Sequence, residues 1–274
     1  MRYTAQSTKY VFKNFIYLFP FAILPAVFLA VSTDRQAIFA VIDALLKGDV
    51  QAWTFTQLFR AISVLNFASW QSIVFGIVGV LFIIPCFALL MALLEKHMRI
   101  GKRTFNGLLG KLNDNFLSTA GIVVLILAIY ELWVLITAAV LFLVSRIAIT
   151  AVAHALVLAA FVLLHILLMV SIGAIYLWLP CMQITGFRAF EALLYSYQLL
   201  TPIRWRIMLS QILVLFTAEA LVCVCSIVVP VDVFRLVAAA LYAGILMIYC
   251  VRMQIAYFDR DHIDRADTAK YYLR

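Results

Sequence analysis

Charged residues are scarce in this chain, and their scarcity excludes the water-soluble proteins. Of its 274 residues, 12% are Asp, Glu, Lys or Arg, whereas soluble domains carry about a quarter. Hydrophobic residues make up 66% of the sequence, and the mean hydropathy is +1.09. A soluble fold of this composition would have too few polar residues to cover its surface. The chain is therefore predicted to be an integral membrane protein.

The sequence also lacks the short motifs on which common enzyme chemistries depend. It has no Gly-rich phosphate loop, no Gly-x-Ser-x-Gly nucleophile elbow and no His-Glu-x-x-His zinc motif. Its five cysteines lie in or beside apolar runs and lack the paired spacing of a zinc site. We therefore expect no disulfide, no metal and no cofactor, and no motif supports an enzymatic function.

Six apolar runs are long enough to cross a bilayer as helices. About 20 helical residues span a hydrocarbon core of about 30 Å, at about 1.5 Å per residue. The predicted spans are residues 15–31, 72–94, 118–143, 147–179, 207–229 and 233–257, followed by a charged tail over residues 258–274. The predicted fold class is an all-α, polytopic transmembrane helical bundle that forms a single membrane domain.

The distribution of basic residues predicts how the bundle is oriented. In a six-span topology, 16 of the 21 Lys and Arg residues fall on the side of the membrane that carries the amino terminus. Arg252 is counted here with the carboxyl-terminal segment. The positive-inside rule then places both termini in the cytoplasm. The formal net charge of +8 is spread between apolar runs without a continuous stripe, so nucleic acid is not an expected partner.

Two short helices are predicted in the outer polar segment 33–71. Asp34 can begin one helix that Gly48 ends, and Thr54 with Gln57 forms a capping box for a second. Leu58, Ile62 and Leu65 are predicted to lie on one face of the second helix. These helices would lie on the membrane surface or cover the bundle. A lid that gates a substrate is the alternative.

The inner polar segments predict interfacial helices that contact lipid headgroups. Residues 95–117 and 183–206 place apolar side chains at helical spacing beside cations, as in helices that lie in the membrane interface. With the amino-terminal arm, these segments suggest three units, each an interfacial helix followed by a hairpin of two spans. The cations expected to bind headgroups are Lys96, Arg99, Lys102, Arg103, Arg204 and Arg206.

Proline and glycine positions predict local features of the spans. Pro20 and Pro25 each remove a backbone donor, which predicts a kinked or partly unwound first span. Pro180 is expected to end the fourth span. Gly76 and Gly79, in line with Ser72, form a small-residue stripe suited to close contact between helices.

Two acids and two histidines lie within the spans and form the candidate polar site: Glu131, His165, Glu219 and His154. Glu131 and Glu219 fall near the middle of their spans, where a charge costs on the order of 3 kcal/mol and is normally paired, neutralised or hydrated. His154 precedes His165 by eleven residues and lies on nearly the same helical face. One hypothesis is a proton or cation relay, or a polar cavity. The alternative is that each group is neutral and hydrogen-bonded between helices as part of the packing.

The tail is rich in acids, but their spacing does not fit a calcium loop. Asp259, Asp261, Asp264 and Asp267 alternate with basic residues, which indicates a salt-bridged helix or a tail that docks a partner. Tyr257, together with Tyr271 and Tyr272, is predicted to anchor the tail at the interface.

The span layout and the carboxyl-terminal motif resemble a known kind of protein. The motif comprises Tyr257-Phe258-Asp259-Arg260 and Arg265-Ala266-Asp267. The chain resembles bacterial six-span membrane proteins that are similar to the membrane domain preceding the catalytic barrel in some glycerophosphodiester phosphodiesterases. The resemblance implies a lipid-facing module in the bacterial cytoplasmic membrane. Since the sequence contains no barrel and no phosphodiesterase residues, the resemblance implies no hydrolase activity.

Three function classes remain. The favoured one is a non-enzymatic membrane module that binds lipid or scaffolds a membrane partner. The second is a transporter or permease subunit with a proton- or cation-linked polar site at mid-membrane. The third is an intramembrane enzyme that acts on lipid. Expected partners are membrane lipids, together with a membrane protein or a second copy of the chain.

Overall fold

Helices form nearly all of the structure, a computed structural model that describes residues 2–268. The helices are α1 (Arg2–Lys13), α2 (Phe15–Ser32), α3 (Arg35–Lys47), α4 (Phe55–Ile62), α5 (Trp70–Ile100), α6 (Leu108–Ser145), α7 (Thr150–Ala174), α8 (Trp178–Pro180), α9 (Ala189–Leu200), α10 (Arg204–Val228) and α11 (Val231–Arg260). Six are long and apolar enough to cross a membrane: α2, α5, α6, α7 with its continuation to Thr185, α10 and α11. No strand occurs among the described residues. The predicted all-α, polytopic fold class is confirmed.

The six spans form a ring in which each packs against the next along the chain. Helix α2 contacts α5, and the contacts continue through α6, α7, α10 and α11, which packs back against α2. At the end of the bundle where α2 begins and α11 ends, α1 packs against α11. We call this the inner end and the opposite one the outer end. The described ends of the chain therefore lie together.

Two glycines allow α2 and α5 to approach closely. A Cβ on Gly79 would lie 3.3 Å from the backbone nitrogen of Leu29, and one on Gly76 would lie 3.7 Å from the Cβ of Ser32. The predicted small-residue contact is therefore confirmed. Pro20 and Pro25 both lie inside α2, which is assigned as one uninterrupted helix from Phe15 to Ser32. The partial unwinding expected of this span is not found.

The inner connection between α5 and α6 differs from the sequence prediction. Helix α5 continues to Ile100, and α6 is one helix of 38 residues that begins at Leu108. Gly101 and Gly107, both with φ of +75°, allow the chain to reverse over a short loop. The interfacial helix predicted over residues 95–117 is therefore wrong. Its amphipathic pattern belongs to the inner ends of α5 and α6. There, one side of each helix faces the bundle and the other side faces away from it.

The third inner segment forms the short helix that the sequence predicts. Phe190, Leu194 and Tyr197 on α9 are all exposed on the isolated chain, so the apolar stripe is turned away from the bundle. Such a stripe suits a helix whose apolar side enters the lipid interface. A separate short inner helix is thus present in two of the three proposed units, as α1 and as α9.

Pro180 does not end the fourth span. Regular helix ends earlier, at Ala174, and the chain resumes a helical path through α8 and a π-helical turn over Cys181–Thr185. Pro180 lies in the first turn of this second segment, where backbone N–H groups have no partner within the helix. Proline is tolerated there because no hydrogen bond is lost.

The tightest packing of the bundle is at its inner end. Every residue of α11 from Cys250 to Phe258 is buried. Tyr257 is 0% exposed and donates a hydrogen bond to Asp261 at 2.7 Å, so its predicted place at the membrane interface is wrong. It is covered because α1, α9 and the tail pack around the end of α11. Tyr271 and Tyr272 lie outside the described residues.

Three of the four acids of the tail are engaged within the molecule, and Asp264 is exposed. Asp259 accepts a hydrogen bond from Tyr3 of α1, and Asp261 accepts one from Tyr195 of α9. Arg265 and Asp267 form an ion pair at 2.7 Å. Over residues 258–268, the tail therefore fastens the short inner helices to α11, and these three acids are not free to dock a partner.

These tyrosine contacts predict an alkaline loss of stability. The hydrogen bond to Asp261 and burial raise the pKa of Tyr195 to about 12, and burial with the bond to Asp259 raises the pKa of Tyr3 to about 12. An unfolded tyrosine ionises near pH 10, at about its ordinary pKa, so above that pH the folded state holds more protons than the unfolded one. The stability that these two tyrosines contribute is fully present below about pH 10 and is lost as the pH rises through about 12.

The test of this prediction is the melting temperature, Tm, of the detergent-purified chain, measured from neutral to strongly alkaline pH. Tyr195→Phe removes one of the two phenols, so its Tm is expected to fall less steeply with pH than that of the wild type. Parallel curves for the two proteins would contradict the assignment.

Candidate functional site

The outer end of the bundle is covered by a structured segment, residues 34–66, which we call the outer lid. Asp34 begins α3 by accepting a hydrogen bond from the N–H of Ala37, and Gly48 ends it in the left-handed conformation. Thr54 and Gln57 form the predicted capping box of α4. Both short helices are therefore confirmed, although α4 ends at Ile62 and does not extend its face to Leu65.

The outer lid is attached to the spans α6 and α10 and to the turn between α6 and α7. Helix α4 packs against α6, and α3 packs against α10. Arg60 of α4 pairs with Asp34 at 2.6 Å, and Arg146, at the turn between α6 and α7, donates to the carbonyl oxygens of Gln51 and Trp53 at 2.9 and 2.7 Å. The predicted lid thus covers the bundle instead of lying beside it.

Glu131, at the middle of α6, holds the last residues of the outer lid. One carboxylate oxygen accepts the backbone N–H groups of Val64 and Leu65 at 3.0 and 3.1 Å. The other accepts the hydroxyl of Ser63 at 2.7 Å. These two backbone donors are partly buried, follow the end of α4 and have no helical partner, so the carboxylate supplies the acceptor that they need.

Other polar groups fix the same stretch of the lid. The Tyr130 hydroxyl donates to the carbonyl of Ile62 at 2.7 Å. Asn66 is fully buried, and its amide donates to the carbonyl of Ser32 at the end of α2. The polar contacts of Glu131 are therefore part of a lid attachment.

His165 and Glu219 form a pair within the membrane-spanning region, one from α7 and one from α10. The Nε2 atom of His165 lies 3.0 Å from Oε1 of Glu219, and the histidine side chain is 1% exposed. The Nδ1 atom of His165 lies 2.8 Å from the carbonyl oxygen of Phe161. Because a carbonyl can only accept, Nδ1 carries a proton.

That assignment leaves one proton to be shared between the two side chains. If Nδ1 is protonated, the contact between Nε2 and Oε1 needs a proton on either the imidazole or the carboxyl group. Both arrangements have zero net charge, which suits a region of low dielectric constant. Phe161, Phe216 and Trp133 surround the imidazole, with ring centroids 4.1, 5.0 and 4.8 Å from it. The second carboxyl oxygen of Glu219 is buried and has no hydrogen-bond partner within residues 2–268.

The four predicted site residues do not form one continuous network. His165 and Glu219 are in contact, whereas the hydrogen bonds of Glu131 go to the outer lid. Trp133 packs edge-on against His165 and also contacts Tyr130, the neighbour of Glu131. His154 bonds the carbonyl of Thr150 in its own helix at 3.0 Å, so within the described residues it extends no polar track.

The predicted headgroup-binding cations fall in three places. Lys96 and Arg99 line a groove of about 280 Å³ between the inner ends of α5 and α6, which we call the inner groove. Lys102 and Arg103 are exposed on the loop beside it. Arg204 and Arg206 lie apart, at the start of α10, where the Arg204 guanidinium lies 5.4 Å from the centre of the Tyr197 ring.

The inner groove has a charged mouth around one buried acid. Glu95 is 5% exposed and accepts a hydrogen bond from Arg99 at 3.0 Å, and the Lys111 amine lies 3.9 Å from its other oxygen. Lys96 donates to the carbonyl of Asn106. Three cations and a single carboxylate thus line the groove, which leaves it positively charged.

Comparisons of this chain with models of protein families, with curated proteins and with solved structures found no match. The resemblance to the membrane domain of glycerophosphodiester phosphodiesterases therefore stays a prediction.

Proposed function

We propose that this protein is a non-enzymatic membrane module whose inner groove binds the headgroup of an anionic phospholipid. The observation that carries the proposal is that Lys96, Arg99 and Lys111 line one groove with a single acid, Glu95, at the inner end of the α5–α6 hairpin. Glu95 orients two of the cations and neutralises only one. The remaining positive charge attracts phosphate, and basic pockets between spans on the cytoplasmic side are known to suit such headgroups.

The surroundings of the inner groove suit the rest of a lipid. Ala92, Ile100 and Leu108 complete its lining with apolar side chains. Leu109, on the outward face of α6, is strongly exposed on the isolated chain. A lipid whose phosphate lies in the groove would place its acyl chains along apolar helix faces, which suit contact with lipid. Both features support a lipid over a soluble anion.

The experiment compares two double variants with the same change in charge. Lys96→Gln with Lys111→Gln removes cations from the inner groove, and Arg204→Gln with Arg206→Gln removes two inner cations outside it. At about 1 kcal/mol for each basic residue, loss of the groove cations is expected to weaken phosphatidylglycerol binding about 30-fold. Native mass spectrometry and lipid titration of the purified full chain measure the affinity, with phosphatidylcholine as the neutral control.

The matched variant should bind phosphatidylglycerol nearly as the wild type does. Equal weakening in both double variants would mean non-specific attraction and would contradict the proposal. An equal affinity of the wild type for the two lipids would do the same.

A second candidate function is proton-linked transport, and the His165–Glu219 pair favours it. Ionisable groups within a span are functional candidates by default, and this pair shares a proton between two helices of the ring. The unpaired carboxyl oxygen of Glu219 gives that proton a second position. Glu131 contributes by fixing the outer lid, which would have to move for a substrate to pass.

Glu219→Gln separates this candidate from a purely structural pair. The glutamine amide can donate to Nε2 of His165, so Tm is expected to change little, whereas the site can no longer release a proton. Full-length protein in liposomes with an enclosed pH-sensitive dye is expected to dissipate an imposed proton gradient. The variant should show only the leak of empty liposomes. A wild-type rate equal to that of empty liposomes, or an unchanged rate in the variant, would exclude the candidate.

A further inference from the structure

Arg252 lies inside the inner half of the bundle, although the sequence groups it with the basic carboxyl-terminal segment. Its side chain belongs to α11 and is 2% exposed. Its Nε donates to the Tyr176 hydroxyl and its Nη1 to the Ser210 hydroxyl, both at 2.8 Å. The guanidinium carbon lies 5.5 Å from the centre of the Tyr176 ring. All of these partners are neutral.

No carboxylate within residues 2–268 forms an ion pair with Arg252. A buried guanidinium without a counter-ion is costly, and buried charges in proteins are normally paired. The guanidinium carries five N–H donors, of which the two hydroxyl contacts use two. The remaining donors, including both on Nη2, have no hydrogen-bond partner among the described residues and can hold an anion.

A second buried polar side chain lies in the same region between α7 and α10. Gln211 follows Ser210, is 5% exposed, and neither its amide oxygen nor its amide nitrogen has a partner among the described residues. Its oxygen lies 4.0 Å from the position that a Cβ on Gly173 would take, one turn before Tyr176. Since buried polar groups are rarely left unpaired, Gln211 indicates that another group binds here.

We propose that Arg252 and Gln211 form a buried binding site for a phosphate group. The planar fork of an arginine matches two phosphate oxygens, and the glutamine amide and the Ser210 hydroxyl are neutral donors. Thr4 of α1 adds a hydroxyl, which contacts that of Ser210. One cation with neutral donors and no acid favours an anion and disfavours a metal ion. This site is separate from the inner groove and does not depend on the groove binding lipid.

The depth of the site is compatible with two sources of phosphate. Arg252 lies eight residues before the end of α11, or about 12 Å along the helix. Ser210 lies six residues from the start of α10, or about 9 Å. A lipid phosphodiester of the inner leaflet and a free phosphate from the inner solution both approach this level. They share the chemistry of recognition, so the experiment has an arm for each.

The first arm uses the full chain in detergent after its lipids have been removed. Tm is followed as sodium phosphate is added at constant ionic strength, and the site predicts a saturable rise. Arg252→Met is expected to lose that rise. Gln211→Leu, which leaves both hydrogen bonds of Arg252 in place, is expected to weaken phosphate binding about tenfold. Stabilisation by exclusion of phosphate from the surface is not saturable and should be shared by both variants.

The second arm measures retained phosphatidylglycerol by native mass spectrometry after extraction from vesicles that contain it. The measurement is made in a protein that carries Lys96→Gln with Lys111→Gln. Retention by this protein, with about tenfold less after Arg252→Met or Gln211→Leu is added, would identify a lipid phosphate. Saturable phosphate binding without retained lipid would identify a free phosphate. The groove variant Lys96→Gln with Lys111→Gln is the background for this arm, because it should keep the Arg252 site while it loses binding in the inner groove.

Two results would overturn the proposal. One is a parent protein, the wild type in the first arm and the groove variant in the second, that neither binds phosphate saturably nor retains lipid in a manner sensitive to the variants. The other is a folded Arg252→Met protein that behaves as its parent in both arms. If Arg252→Met fails to fold, Gln211→Leu decides alone: binding as strong as in its parent then overturns the proposal.

Discussion

Glu131→Leu is expected to detach the outer lid, whereas Glu131→Gln is expected to leave it in place. Leucine removes the acceptor for the Ser63 hydroxyl and for the backbone N–H groups of Val64 and Leu65. Each buried donor left unpaired costs about 1–3 kcal/mol, so the total loss should exceed about 3 kcal/mol. Glutamine keeps one oxygen for the two backbone donors, and its amide can donate to the serine oxygen.

Hydrogen exchange tests this prediction where the effect is local. Amide exchange at Val64 and Leu65, measured by mass spectrometry of the purified full chain, should accelerate at least about a hundredfold in Glu131→Leu, because about 3 kcal/mol corresponds to that factor. Glu131→Gln should exchange nearly as the wild type does, as should peptides from α2 in both variants. Unchanged exchange at Val64 and Leu65 in the leucine variant would mean that the carboxylate does not hold the lid.

The glutamine variant has a second use. If the negative charge of Glu131 served transport, Glu131→Gln would lose proton flux while the lid stayed attached. If its role is the attachment alone, both the flux and the lid would survive in this variant. The leucine and glutamine variants together therefore separate the two roles that the sequence left open for this residue.

Gly79→Val is expected to separate α2 from α5 and to lower the stability of the whole bundle. A Cβ at this position would lie 2.8 Å from Cδ2 of Leu29, 3.1 Å from its Cγ and 3.3 Å from its backbone nitrogen. The terminal carbon can move, but the backbone nitrogen moves only with α2. Overpacking of this kind typically costs about 1–3 kcal/mol, and a β-branched side chain in a tight helix contact belongs at the upper end.

Gly244→Val is the matched control, since nothing lies within 4 Å of a Cβ added there on α11. Tm measured in detergent should fall clearly in Gly79→Val and change little in Gly244→Val. An equal fall in both would indicate that valine itself, and not the contact with Leu29, is responsible. Retention of wild-type Tm by Gly79→Val would contradict the close packing of α2 and α5.

Features set by neighbouring residues could be predicted from the sequence. Asp34 with Gly48, and Thr54 with Gln57, encode their helix ends within a few residues, and the structure has both helices. Gly79 allowed the close contact between helices to be predicted, because small side chains within a span are typical of such contacts. The six long apolar runs predicted the fold class, because a single segment can satisfy its own backbone hydrogen bonds in lipid only as a helix.

Features set by contacts between distant parts of the chain could not be predicted. The depths of His165 and Glu219 can be read from their runs, but their pairing depends on α7 and α10 being neighbours in the ring. The partner of Glu131 is largely backbone, which leaves no side-chain signal in the sequence. Arg252 was visible inside an apolar run, yet its burial depends on α1, α10 and the turn after α7, which meet near its position on α11.

Helix α6 runs unbroken for 38 residues, about 57 Å, so it is a single rigid rod nearly twice as long as the hydrocarbon core is thick. Lys111 sits near one end of this rod and Glu131 about 30 Å further along it. A change in bilayer thickness that tilts the rod must shift both positions together. The lipid leaflet at the inner end and the outer lid at the other end are therefore mechanically linked through α6, without a network of side-chain contacts between them.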